Sequence, residues 1–211
     1  MYRVGIDTGG TFTDLVALDD ASGHIRTVKV PSTPQQPASA PLNAIGQSEL
    51  TPDEIGRIVL GTTIATNARL QKKGATVLYV GTDGVQDVPI IGLIARKEAY
   101  NPAWEKPSAG VLRRHCFGIK ERVDHKGNIL IPLEKPELER LGDWIDEWRK
   151  SDPAQEWAVA VNLLFSYVDQ SHEEAIGAYL AERFPDLPVS LSSDVCPIWR
   201  EYQRSATVIT D

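Results

Sequence analysis

Apolar and polar positions alternate from the first residues of the chain. Val4 and Ile6 flank Gly5 and lead to Asp7, a period of two that predicts a strand. A second extended segment follows from Phe12 to Leu18. A third runs from Ile25 to Val30 after the turn at Gly23-His24. The first two flank Thr8-Gly9-Gly10-Thr11, so the pattern predicts a hairpin and then a three-stranded meander. The paired glycines at the tip allow positive φ and leave no side chain to block a close neighbour.

Residues 31–41 hold four prolines and read as a loop leading into a short helix around Leu42–Leu50. Thr51-Pro52-Asp53-Glu54 reads as a helix start, with a Thr cap, Pro at the first helical position and Glu three residues on. A short strand, Ile58–Leu60, ends at Gly61. Thr62-Thr63 then open a helix to about Lys73, with Gly74 as its stop. Thr76–Val80 predicts a buried strand. Residues 96–122 carry little periodicity and read as an irregular excursion. Arg113, Arg114, His115, Lys120 and Arg122 there form either a solvated face or a subunit contact or lid. Phe117–Val123 and Asn128–Pro132 alternate across Asp124-His125-Lys126-Gly127, a second hairpin signal.

From Pro136 to Lys150, Leu138, Leu141, Ile145 and Trp148 stripe one face of a predicted helix. Trp157–Phe165 predicts a central buried strand. Ser171-x-x-Glu174 is a capping box ahead of a helix striped by Ile176, Tyr179, Leu180 and Phe184. Val189–Leu191 is a last strand, and Trp199–Thr210 begins another helix. Strands and a hairpin first, then strands alternating with helices, predict the α/β class with a mixed sheet. The expected organisation is one domain over 1–211 with two subregions, 1–95 and 96–211.

The hydrophobic share of 42% and charged share of 24% are ordinary for a globular chain. A net charge of −7 argues against a nucleic-acid surface. No apolar run approaches the ~20 residues that span a bilayer, and the N-terminus lacks a signal-peptide pattern. Cys116 and Cys196 read as buried apolar residues of a protein in the reducing cytoplasm. His24, His115, His125 and His172 are scattered without metal-ligand spacing and read as surface residues.

The candidate chemistry lies at the first hairpin. Consecutive N–H groups at its tip, flanked by hydroxyls, suit an anion such as phosphate. Asp7, at the end of a strand expected to be buried, would be a costly charge unless paired, and a magnesium ion beside a nucleotide phosphate would pair it. The plainer reading is that Asp7 caps the turn. Thr62 and Thr63 likewise either face an anion or only cap their helix.

Gly5-Ile6-Asp7-Thr8-Gly9-Gly10-Thr11-Phe12-Thr13-Asp14 resembles the first phosphate loop of the hydantoinase A/5-oxoprolinase family. Gly61-Thr62-Thr63-Ile64-Ala65-Thr66-Asn67 with Lys73-Gly74-Ala75 resembles a second family segment. Arg200-Glu201-Tyr202-x-Arg204-Ser205-x-Thr207 resembles a third. The three occur in family order across nearly the whole chain. Leu60 is a departure, because the family commonly has His before Gly-Thr-Thr.

The resemblance implies one lobe of the sugar kinase, Hsp70 and actin fold. It implies an ATP-dependent amidohydrolase that phosphorylates the carbonyl of a cyclic amide such as hydantoin or 5-oxoproline before hydrolysis. The alternative branch is a ketone carboxylase of the acetone/acetophenone type. A third reading is a non-catalytic scaffold that binds partner subunits. By the same resemblance Asp7 holds Mg2+ and Asp14 supports it, while Thr8, Gly9, Gly10, Thr11 and Thr13 cradle or support the ATP phosphates. Thr62, Thr63, Asn67, Arg200, Glu201 and Arg204 would line the cleft; Arg200, Glu201 and Arg204 read equally as Arg–Glu pairing at a helix start. No second phosphate loop is found, so the expected whole enzyme adds a C-terminal ATPase lobe, a hydantoinase B-like subunit, or both, and this chain by itself is expected to be inactive.

Overall fold

The structure is a computed structural model. It describes every residue except 72, 73, 94–96 and 99, and only the backbone at 64. The expectations placed on Lys73, Ala95 and Arg96 therefore lie outside the described residues. The chain forms two compact units, Met1–Gly74 and Ala75–Asp211. The division falls ahead of residue 95, because the strand at Thr76–Thr82 pairs with strands of the second unit.

In the first unit, strands β1 (Tyr2–Thr8), β2 (Phe12–Asp19) and β3 (Ile25–Pro31) form the expected meander. Helix α1 (Ser39–Gln47) and β4 (Ile55–Thr62) follow, then the short α2 (Ile64–Leu70). The order is β3-β2-β1-β4, with β1–β2 and β2–β3 antiparallel and β1–β4 parallel, so the sheet is mixed. Alternation selects one face. Val4, Ile6, Leu15, Ala17 and Val30 pack with Ala40, Ala44 and Leu50 of α1 and its exit. The other face carries Asp7, Asp14 and Val16 and is exposed. The Thr51–Glu54 segment makes only one 3-10 turn, with the Glu54 carboxylate accepting from the N–H and hydroxyl of Thr51, and runs directly into β4. At the free edge of the sheet, Ile58, Val59 and Leu60 are 48%, 55% and 57% exposed, so both faces of β4 present apolar surface.

The second unit contains β5 (Thr76–Thr82), α3 (Val88–Ile91), β6 (Cys116–Ile119), β7 (Arg122–Val123), β8 (Ile129–Ile131) and α4 (Lys135–Ser151). It continues with β9 (Trp157–Asn162), α5 (Ser171–Arg183), β10 (Val189–Leu191), α6 (Ser192–Val195) and α7 (Glu201–Val208). Its four-stranded sheet, β10-β9-β5-β6, is parallel throughout. Both predicted helical stripes meet this sheet. Leu141 and Ile145 of α4 and Ile176 and Leu180 of α5 are fully buried against Leu78, Val80, Ile119, Val159 and Val161. On the other face, Tyr79 and Ala160 pack with Val208 and Ile209.

Three local expectations fail. Only Arg122–Val123 pairs with Ile129–Ile131 in the second hairpin; Cys116–Ile119 joins β5 instead. Ser171 is the first residue of α5 rather than its cap; the cap position is Gln170, and the Ser171 N–H and hydroxyl both donate to Asp169. His115 and His172 are buried rather than on the surface, His115 edge-on to Trp148 at 4.5 Å between ring centres.

Candidate phosphate-loop site

The hairpin tip and the β4–α2 junction meet at one end of the first unit's sheet. Parallel pairing sets Asp7 beside Gly61 and Thr8 beside Thr62. A Cβ on Gly61 would lie 3.6 Å from Asp7 Oδ1, so glycine there leaves the carboxylate room. The Thr63 N–H donates to Thr8 O at 3.3 Å. Asn67 Nδ2 donates to Thr63 Oγ1 at 3.1 Å and would lie 3.6 Å from a Cβ on Gly10. The first two motifs thus meet at this end of the sheet, Asp7 against Gly61 and Gly10 against Asn67, which in turn holds Thr63.

Several expectations need correction. Asp7 is exposed, not buried; an odd position on β1 faces solvent while Val4, Ile6 and Thr8 face the core. Neither Gly9 nor Gly10 has positive φ. Their lack of a side chain serves close approach, since a Cβ on Gly9 would meet Phe12 O at 3.2 Å. The Gly9 N–H is not free for a phosphate, because it donates to Phe12 O at 3.0 Å. Thr8 turns inward, and its buried hydroxyl has no partner among the described residues. Thr13, fully buried, bonds to Ser32 Oγ at 3.0 Å.

What remains open at the tip is specific. Among the described residues the Gly10 and Thr11 N–H groups have no acceptor, and Thr11 is exposed. Asp14 stands opposite Asp7 across β1–β2, and Lys29 opposite Asp14 across β2–β3. Lys29 Nζ lies 3.1 Å from Asp14 Oδ1. Asp7 has no cationic partner among the described residues. Open N–H donors at a hairpin tip and an unpaired carboxylate on the strand leading into it are the donor types that a phosphate with a divalent cation takes.

Arg200, Glu201 and Arg204 belong to the second unit. Arg204 is fully buried, donating from Nη1 to Ser166 Oγ at 3.0 Å and from Nη2 to Leu163 O at 2.6 Å. It makes no Arg–Glu pair with Glu201; burial holds its pKa below the ordinary value. It ends a polar network at the carboxyl edge of the parallel sheet. Glu173 accepts from Leu163 N–H, Ser192 Oγ and Ser193 N–H, each at 2.8 Å. Ser166 and Ser192 hydroxyls meet at 3.2 Å. Nearby, His172 Nδ1 and Glu121 Oε2 are 2.8 Å apart, and Thr82 donates to the other oxygen of Glu121. Ser32, Glu121, His172 and Glu173 were not singled out from the sequence. The buried acidic residues and His172 break no periodic pattern and find partners outside their own elements, 10 to 20 positions away for Glu173 and 39 and 51 for Glu121. Ser32 sits in a proline-rich loop.

The described family of hydantoinase/oxoprolinase N-terminal regions has a model that matches residues 3–184. The chain belongs to this family. It is 32% identical over 220 residues to caprolactamase subunit alpha of Pseudomonas jessenii, covering 100% of this chain and 31% of that protein. The crystal structure of ATP-dependent caprolactamase from the same organism aligns with TM-score 0.77 at 30% identity over 99% of this chain and 31% of that one. The acetophenone carboxylase gamma subunit of Aromatoleum aromaticum is 30% identical over 231 residues, with 99% of this chain and 30% of that protein covered. A nucleotide-free acetone carboxylase structure shares the fold, with TM-score 0.84 at 23% identity over 100% of this chain and 32% of that one. The chain thus spans under a third of these relatives. The α/β class and mixed sheet are those expected of the family.

Proposed function

We propose that this chain supplies the first phosphate loop of an ATP-dependent enzyme that activates the carbonyl of a cyclic amide by phosphorylation before hydrolysis. The observation behind this reading is the Asp7 carboxylate, unpaired among the described residues, on the strand that leads into a Gly9-Gly10 tip whose Gly10 and Thr11 N–H groups have no acceptor among the described residues. The caprolactamase relative supports a lactam or imide substrate. Asp7 would hold Mg2+, with Asp14 kept beside it by Lys29; the Gly10 and Thr11 amides and the Thr11 hydroxyl would hold phosphate oxygens. Bound Mg-ATP would supply an electrophilic phosphorus, and phosphoryl transfer depends mostly on positioning and neutralised charge. The chain's own residues orient the phosphates and offset their charge. Gly61 and Asn67 shape the border of that site. The whole enzyme would need further chain and a hydantoinase B-like subunit, in keeping with relatives named as subunits. Two free cysteines and the absence of a membrane-crossing helix among the described residues support a cytoplasmic setting.

A ketone carboxylase component is the second reading, favoured by the acetophenone carboxylase relative. The test is ATP hydrolysis by the full natural protein with its partner subunit, offered hydantoin, 5-oxoproline, caprolactam, or a ketone plus bicarbonate. Stimulation by a cyclic amide is expected. Stimulation only by ketone with bicarbonate moves the chain to the carboxylase branch. No Mg-ATP binding by a folded protein sinks both in favour of the scaffold reading.

A further inference from the structure

The hairpin tip, closed by its own Gly9 N–H to Phe12 O bond, is also tied to a residue outside it. Ser32, the first residue after β3, reaches both of its flanking carbonyls. Its Oγ donates to Gly9 O at 2.8 Å, and its N–H donates to Thr11 O at 2.9 Å. Because that hydroxyl proton goes to Gly9, the Thr13 hydroxyl is the donor in the 3.0 Å bond to Ser32 Oγ. Thr13 is fully buried, which leaves it little freedom to turn elsewhere.

The consequence lies in one peptide plane. Gly9 C=O and Gly10 N–H belong to the same trans peptide and point in opposite directions. Tying Gly9 O to Ser32 turns the Gly10 N–H away from Ser32 and leaves it open. Two consecutive glycines have no Cβ to resist rotation of that plane. Released, the Gly9–Gly10 peptide can flip and present its carbonyl oxygen where an anion needs a donor. We infer that Ser32 is the positioning residue of the phosphate loop, acting through Gly9 O, with Thr13 acting through Ser32. The inference rests on the phosphate-loop reading, and goes beyond it by assigning the loop's orientation to a residue outside the hairpin.

The test compares Ser32→Ala, Ser32→Thr and Ser48→Ala in the full natural protein. Ser48 caps α1 in the same unit through a bond to Ile45 O at 2.7 Å, so its loss controls for stability alone. Two readouts are taken: Mg-ATP affinity by calorimetry, and hydrogen exchange at the Gly9 amide without nucleotide. Ser32→Ala is expected to weaken Mg-ATP roughly fivefold to tenfold, the worth of one hydrogen bond, and to speed Gly9 exchange at least as much. Ser32→Thr should restore both. Ser48→Ala should move neither. Unchanged exchange and affinity in Ser32→Ala, or an equal loss in Ser48→Ala, overturns the inference. If the unsubstituted protein binds no Mg-ATP, the phosphate-loop reading fails by itself, and Gly9 exchange alone judges Ser32.

Discussion

Asp7 and Asp14 stand opposite one another across β1–β2, where like charges repel. Lys29 offsets Asp14 at 3.1 Å, which leaves Asp7 as the carboxylate free to take a cation. Asp7→Ala should therefore lower Mg-ATP affinity by about tenfold or more without lowering the melting temperature, since Asp7 is exposed. Asp14→Asn should cost less than about threefold by the same calorimetry. Equal losses would mean that both carboxylates hold the metal. Arg204 presents the opposite situation, a cation with no access to water. Arg204→Met should cost about 1–3 kcal/mol because the buried Ser166 hydroxyl and Leu163 carbonyl lose their donor, a fall in melting temperature of several degrees. The cysteines differ too. Burial pushes the Cys116 thiol up to about 11, while Cys196 is partly exposed. An alkylating reagent at pH 8 should modify Cys196 in the native protein, and Cys116 only after unfolding, as read by mass spectrometry.

At the scale of elements, the two glycines of the tip are not equivalent. A methyl on Gly9 would press on Phe12 O at 3.2 Å, whereas one on Gly10 would make an ordinary contact with Asn67 at 3.6 Å. Gly9→Ala should disturb the loop and nucleotide binding more than Gly10→Ala. The β7–β8 turn carries a pH dependence. Asp124 accepts from the side chain and N–H of Asn128 and from the N–H of Lys126, which hold its carboxyl down to about 2 from 3.8. A lowered folded-state pKa contributes stability that is complete above the unfolded value and disappears as pH falls through the folded one. Amide protection at Lys126 and Asn128 should hold at pH 5 and be lost between about pH 4 and pH 2. What the sequence made legible at this scale was whatever repeats. The stripe of Leu138, Leu141, Ile145 and Trp148 places α4 within a residue of its ends, and alternation places β1 and β2. Pairing partners were not legible. Phe117–Val123 reads as an alternating hairpin strand, but Cys116–Ile119 pairs with β5 far away in sequence, and alternation does not name partners.

For the whole molecule, the three family motifs divide between two units. The first two build the candidate site on Met1–Gly74, and the third lies in Ala75–Asp211, where Arg204 and Ser205 are interior while Arg200 and Thr207 are exposed. Their chemistry was partly legible. Asp7 and the Gly-Gly tip were legible as a candidate anion site, alongside the plainer reading of a capped turn. The buried role of Arg204 was hidden, since nothing in Arg-Glu-Tyr-x-Arg distinguishes a surface charge from one held by Ser166 and Leu163 O. Strand β4 offers a further test. Three consecutive apolar residues at an unpaired edge template association, so the 211-residue chain prepared alone should self-associate, and Leu60→Lys should reduce light scattering at equal concentration. The interior of the second unit bears on how this sequence can drift over generations. Arg204 Nη1 donates a hydrogen bond to Ser166 Oγ, Ser166 to Ser192, and Ser192 to Glu173, so both hydroxyls are oriented the same way. No member of that series can be replaced alone by a residue that lacks its hydrogen-bonding group without stranding its neighbour. Ser166, Glu173, Ser192 and Arg204, drawn from four separate stretches of chain, should therefore be inherited together or exchanged together, with threonine as the one substitution open to either serine.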